Sequence, residues 1–303
     1  MPELALVDGL VAYAGEPGAF AEDAVIAAFG DVPRAAVGSF RDVFDAVAGG
    51  TAGAGLLPIE NLLNGTVRET FDLLLEYDLR VTGEVVVPVR LCLAALAGQS
   101  LDDIGRVYSH IQALGQAEAF LRSRAWTTLT TYNTAGAGKM IRDNAERGAA
   151  AVLSPRAARL FGLEILAGDI QGAVDNRTRF LVVATDDRAT AEGAKPGGAR
   201  PGGARPGRAR SGGPRRTTIA FAVRNEPGTL LRALAAFASR GVNLSSLESR
   251  PSRQVAWEYV FWADVDADAI DPNCASALED LRTASTMVRV LGSYPRAAES
   301  LGA

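Results

Sequence analysis

A chain of 303 residues, 48% hydrophobic and 22% charged, has length for about two globular domains and ample material for their cores. Its net charge of −4 is unevenly spread: Ala189 to Arg216 holds seven Lys/Arg and one Glu, a local +6, leaving −10 on the remainder. A folded body that acidic argues against nucleic-acid binding, and one histidine with two isolated cysteines, Cys92 and Cys274, excludes a His/Cys metal cluster.

No apolar run approaches the ~18 residues that span a bilayer. The N-terminal MPELALVDGLVAYAG carries Glu3 and Asp8 where a secretory signal would be basic. The expectation is a cytoplasmic protein with two reduced core thiols and no membrane partner.

From the N-terminus, short apolar strands alternate with helices. GLVAYAG leads to AFAEDAVIAAFG, and AGAGLLPI leads to TVRETFDLLLEY. RVYSH precedes QALGQAEAFLRSR, and AAAVLS precedes PRAARLFG. That order predicts an α/β body up to about residue 188. Gly15 and Gly18 allow a tight strand-to-helix turn, and Gly65 lets backbone approach closely. Thr66 and Glu69 have the spacing of a capping box. Ser109 is expected to cap the next helix, with His110 in its first turn, and Asn133 or Thr134 the one after. Four such helix starts converge on an anionic ligand if they share one end of the sheet.

The body closes with NRTRFLVV, Asn176 to Val183. Phe180 to Val183 is a buried strand by composition. The polar residues before it are either a solvated loop end or donors aimed at an anion. No G-x-S-x-G elbow is present, and TAGAGLLP leads into a strand, so neither a hydrolase triad nor a dinucleotide fold is supported. A helix start keeps a lone His110 neutral. Glu60, Asn61, His110, Thr178 and Arg179 are the groups left for chemistry, an inventory suited to positioning and modest proton donation.

GAKPGGARPGGARPGRARSGGPRR, Gly193 to Arg216, repeats a PGGAR-like unit without an aromatic or β-branched residue. It reads as a flexible linker, a passive tether over 189–216. Beyond it, TTIAFAV, GTLLRALAAFASRG, NLSSLESRP, WEYVFWADV, CASALEDLRTAS and VRVLGSY form strand, helix, strand, strand, helix, strand. This predicts a ferredoxin-like βαββαβ domain over 217–295.

The blocks AGEPGAFAEDA, PIEN…GTV, SHIQAL, NTAGA, SPRAARLFGLEIL and NRTRF stand in the order of the prephenate dehydratase family, which the chain resembles throughout except in the linker. NEPGTLLRALAAFASRGVNLSSLESRP resembles that family's ACT regulatory domain. The resemblance implies a two-lobed catalytic domain, similar to periplasmic binding proteins, over 1–188. Its lobes would be about 1–88 with 170–188, and about 89–169. The implied reaction is loss of water and CO2 from prephenate to give phenylpyruvate, with phenylalanine as effector and no cofactor or metal.

By the same resemblance Thr178 matches the catalytic threonine, with Glu60, Asn61 and His110 beside it. Gly15, Gly18, Gly65, Thr66, Ser109, Gln112, Thr134, Arg179 and Phe180 would line the substrate site. Asn225, Gly228, Thr229, Leu230, Leu231, Asn243, Leu244, Glu248, Ser249, Arg250 and Pro251 would hold the effector, between copies of a homodimer or homotetramer. Leu62, Ala19 and Ala21 stand where the family usually has hydroxyl residues, and Ile111 where it has proline. The alternatives are an arogenate dehydratase, a non-aromatising prephenate decarboxylase (a relative expected to lack Thr178) and a non-catalytic small-molecule sensor.

Overall fold

The computed structural model describes residues 9–173, 175–185, 213–252 and 258–297. Most of the expected linker, 189–212, lies outside the described residues. The described residues divide into two compact units, one of 9–77 with 85–182, the other of 78–84 with 183–297.

The first unit is two-lobed, built on two sheets. One contains β1 (Val11–Ala14), β2 (Arg34–Val37), β3 (Ala54–Asn61), β4 (Gly65–Thr66), and β5 (Arg80–Pro88) and β11 (Arg177–Ala184), of which 85–88 and 177–182 belong to this unit. Its order is β2-β1-β3-β11-β5, with β4 paired to β3. The other contains β6 (Cys92–Ala95), β7 (Arg106–Ser109), β8 (Thr127–Thr130), β9 (Ala149–Leu153) and β10 (Glu164–Ala167), in the order β10-β6-β9-β7-β8. Central strands such as β9, AAAVL, are buried at every residue, as helices on both faces require.

Those helices are α1 (Phe20–Phe29), α2 (Phe40–Ala48), α3 (Arg68–Glu76), α4 (Ile111–Gln116), α5 (Glu118–Leu121), α6 (Thr134–Asp143) and α7 (Pro155–Leu160). The stretch read as one helix, QALGQAEAFLRSR, breaks at Ala117 into α4 and α5. Ser154 caps α7 by accepting from Ala157 N at 3.0 Å, with Pro155 in its first turn. Gly18 brings α1 against α7: it has φ +91°, and a Cβ there would stand 2.9 Å from Ala157 Cβ.

The second unit carries β12 (Arg215–Ala222), α8 (Thr229–Ala238), β13 (Leu244–Pro251), β14 (Tyr259–Val265), α9 (Pro272–Ala284) and β15 (Met287–Pro295). Its sheet runs β13-β14-β12-β15, antiparallel at each pairing, with both helices packed on Ile219, Phe221, Ala263 and Val265. This is the βαββαβ order. The strand begins at Arg215, inside the segment expected to be linker, because Arg216 finds a buried partner. Its guanidinium meets both carboxylate oxygens of Glu84, at 3.0 and 2.8 Å. Gly292 lets β15 pass Val81 closely, since a Cβ there would stand 1.9 Å from Val81 O.

Both cysteines are free and buried, and burial pushes the thiols up, Cys92 to about 12 and Cys274 to about 11. Among the described residues no helix is long and apolar enough to cross a membrane.

Candidate active site

A cleft of about 520 Å³ lies within the first unit. Asn61, Asn64, Gly65, Thr66, Arg68, Glu69 and Thr178 line it from the elements of the first sheet, and His110, Gln112, Gln116 and Thr134 from those of the second. Phe20, Phe40, Pro58, Val89 and Leu91 supply its apolar surface.

Asn61 organises one wall. It ends β3, buried, and its Oδ1 accepts from Leu63 N at 3.1 Å and Asn64 N at 2.9 Å. Those two donors fix the amide, so its Nδ2 must point the other way. There it donates to Asn176 Oδ1 (2.9 Å), Arg177 O (3.1 Å) and Thr178 Oγ1 (3.0 Å). Asn176, 3% exposed, passes the chain on: its Nδ2 donates to Gln116 Oε1 at 3.0 Å. A continuous polar line thus runs from Thr178 through Asn61 and Asn176 to α4. Thr178 Oγ1 accepts within this line, which leaves its proton for an acceptor in the cleft.

β11 starts at Arg177, so the polar residues of NRTRF belong mostly to the strand and not to a loop end. Strand alternation then sorts them. Asn61 and Thr178 reach the cleft, while their neighbours Glu60 and Arg179 are absent from its lining and pair with each other at 3.4 Å. Phe180 is in the apolar core. Gly15 and Gly18 also lie outside the lining, and Gly18 N donates to Glu22 at 2.7 Å.

Two expected caps differ. Ser109 ends β7 and donates to Val152 O at 2.6 Å, fully buried; His110 takes the cap position of α4, its Nδ1 accepting from Gln112 N at 3.4 Å. Thr66 pairs with Glu60 across β3–β4, so the cap of α3 falls on Val67, which has no capping side chain. Asn133 does cap α6, accepting from Gly136 N. Sequence reasoning gave Gln116 no role, and Asn176 only its part in the polar stretch before the strand. Asn176 had a signal in its place beside the strand; Gln116 had none.

A model of the prephenate dehydratase family matches residues 11–188, more than half of the chain. The chain belongs to the prephenate dehydratase family. An ACT domain model matches residues 217–283. The arogenate dehydratase/prephenate dehydratase 2 of Arabidopsis thaliana is 37% identical over 294 residues, covering 94% of this chain and 72% of that one. A prephenate dehydratase from Arthrobacter aurescens, solved in complex with L-Phe, is 32% identical with a TM-score of 0.81, over 97% of this chain and 92% of that one. A structure described as GqqA, a novel type of quorum quenching acylase, is 31% identical with a TM-score of 0.81, over 95% of this chain and 98% of that one.

The departures from the usual prephenate dehydratase pattern fall in two places. Leu62 and Ile111 are 60% and 61% exposed, each next to a cleft residue. Ala19 and Ala21 sit against apolar clusters.

In the ACT unit Gly228, in the left-handed region at φ 81°, is the cap residue of α8. Thr229 is buried there, its hydroxyl shared between Arg224 O (2.6 Å) and Glu226 O (2.8 Å), so it staples the turn. Leu230 packs on the core and Leu231 is 72% exposed. Asn243 donates to Asp266 Oδ2 at 2.8 Å. Along β13, Leu244, Glu248 and Arg250 lie on the half-buried face, Ser249 and Pro251 on the exposed one.

Proposed function

We propose that this protein is a cytoplasmic prephenate dehydratase whose ACT unit responds to phenylalanine. The observation that carries the reading is the Thr178 hydroxyl, held by Asn61 in the cleft wall with its proton free to donate. The reaction breaks the bond from the ring to its carboxylate, and that electron pair aromatises the ring as the bond from ring to hydroxyl breaks. Prephenate and one proton give phenylpyruvate, CO2 and water. Aromatisation supplies the driving force, so the protein has to hold the dianion and assist departure of the hydroxyl. A threonine is a weak acid. Its contribution is a hydrogen bond that strengthens as negative charge grows on the leaving oxygen. Asn61 fixes the direction of that bond, and His110, at the facing helix start, supplies a second polar contact.

The same inventory gives little support to acyl transfer. Ser109 is buried and committed to a backbone carbonyl, and among the described residues no acid or imidazole bonds to Thr178.

Phenylalanine is proposed to lie at the Gly228 turn and along β13, with Asn225, Leu230, Leu231, Glu248, Ser249, Arg250 and Pro251 around it. The site would be completed by a second copy in a dimer or larger oligomer. Steady-state assays with prephenate and arogenate, each with and without phenylalanine, test the proposal. Phenylpyruvate from prephenate, with a rate that phenylalanine changes, is the expected result. Hydrolysis of an N-acyl substrate without phenylpyruvate formation would overturn it.

A further inference from the structure

We infer that Arg68 is the group that receives the pyruvyl carboxylate of the substrate; this rests on the dehydratase reading of the cleft. Eighteen residues line the cleft; Arg68 is the one arginine or lysine among them, Glu69 the one acid and His110 the one imidazole. The rest are apolar side chains, amides and hydroxyls. A dianion therefore meets one guanidinium in this wall, and Glu69 is the one carboxylate it must avoid. Nothing else claims that guanidinium: no ion pair or hydrogen bond of its side chain occurs among the described residues. Unpaired exposed arginines are common and mostly solvated, as Arg68 is here. Its place in the cleft lining is what separates it from the others. A guanidinium presents a planar fork that matches a carboxylate with two parallel hydrogen bonds.

The chemistry chooses between the two carboxylates. The ring carboxylate loses its charge as CO2 leaves. An arginine on it would stabilise the ground state more than the transition state and slow the reaction. The pyruvyl carboxylate keeps its charge from substrate to product. An arginine there binds all states alike, which lowers KM and leaves the chemical step untouched. It also binds the product, phenylpyruvate, through the same carboxylate.

The test follows both affinities in the full-length protein. For Arg68→Leu the KM for prephenate should rise roughly 10- to 100-fold with kcat within a few-fold of wild type. The inhibition constant of added phenylpyruvate should rise by the same factor. Arg68→Lys, which keeps the charge but not the fork, should fall between the two and serves if the leucine variant does not fold. A rise in kcat accompanying the rise in KM, with phenylpyruvate inhibition unchanged, would move Arg68 to the ring carboxylate and overturn the inference. Unchanged KM in both variants would remove Arg68 from binding while leaving the dehydratase reading intact. No phenylpyruvate from the wild type would overturn both.

Discussion

Asn61 Nδ2 stands 3.0 Å from Thr178 Oγ1, joining residues 117 positions apart in the chain. Neither side chain could be so aimed alone. The two backbone donors on Asn61 Oδ1 turn its amide toward β11, and strand alternation turns Thr178 toward β3 and the cleft.

Thr178→Ala should therefore lower kcat by about 100-fold or more while KM moves little, since the lost bond acts on charge that develops only in the transition state. Thr178→Ser should retain most of the activity, because the hydroxyl survives. Stopped-flow or steady-state measurement of phenylpyruvate formation distinguishes them. Near-normal kcat in the alanine variant would reduce the polar stretch to a strand end.

Asn61→Asp keeps an acceptor for Leu63 N and Asn64 N but removes both amide protons. Asn176 Oδ1, Arg177 O and Thr178 Oγ1 would then face a carboxylate. The expected result is a larger fall in kcat/KM than for Asn61→Ala, because the new charge also repels the dianion. A smaller fall in Asp than in Ala would show that the hairpin contacts matter more than the amide.

Much of this was legible in the sequence where periodicity and turn chemistry are local. The alternation of strands and helices and the βαββαβ order follow from short patterns, while residues 61, 65, 66, 110, 112, 134 and 178 of the cleft lining are named through the family resemblance. What sequence reading missed depends on partners far along the chain. Arg179 and Glu60 look as chemical as Thr178 and Asn61 until strand alternation turns them away from the cleft, where they pair. The Thr66/Glu69 spacing fits a capping box, yet Thr66 is taken by strand pairing. Glu84 reads as an ordinary polar strand residue; only the fold puts it against Arg216, 132 positions away.

That pair supplies a stability prediction. Both side chains are nearly dry, 1% and 9% exposed, and Glu84 also accepts from Ala297 N at 2.9 Å. Breaking it from one side, by Glu84→Leu, which leaves Arg216 only the longer contact to Asp266 at 3.7 Å, or by Arg216→Leu, strands a buried charge and should cost about 3–5 kcal/mol. The double leucine variant should recover a large part of that loss. Thermal melts of the three proteins check this, and a double variant destabilised by the sum of the two single losses would show that the pair is not coupled.

The last prediction concerns acid. Glu22, buried on α1, accepts from Gly18 N (2.7 Å), Arg34 Nε (2.8 Å) and Arg156 Nη2 (2.6 Å). Burial alone would raise its pKa; the bonds from Arg34, Gly18 and Arg156 outweigh burial and lower it from 4.5 to about 2. A carboxyl depressed in the folded state stabilises the fold fully above its unfolded value near 4.5. That contribution is lost as pH falls through about 2. The size is about 2–3 kcal/mol at neutral pH. Its neighbour Asp23, also bonded to Arg156, shifts the other way, raised chiefly by burial, and so offsets part of the slope. Denaturant unfolding between pH 6 and pH 2 should therefore show wild type losing stability toward acid. Glu22→Gln should be less stable at neutral pH and flatter below 4.5, and Asp23→Asn steeper than wild type. An unchanged acid slope in Glu22→Gln would mean that this carboxyl titrates alike in the folded and unfolded chain, and that the loop at Gly18 is held to α7 by packing and the Ser154 bond to Gly18 O.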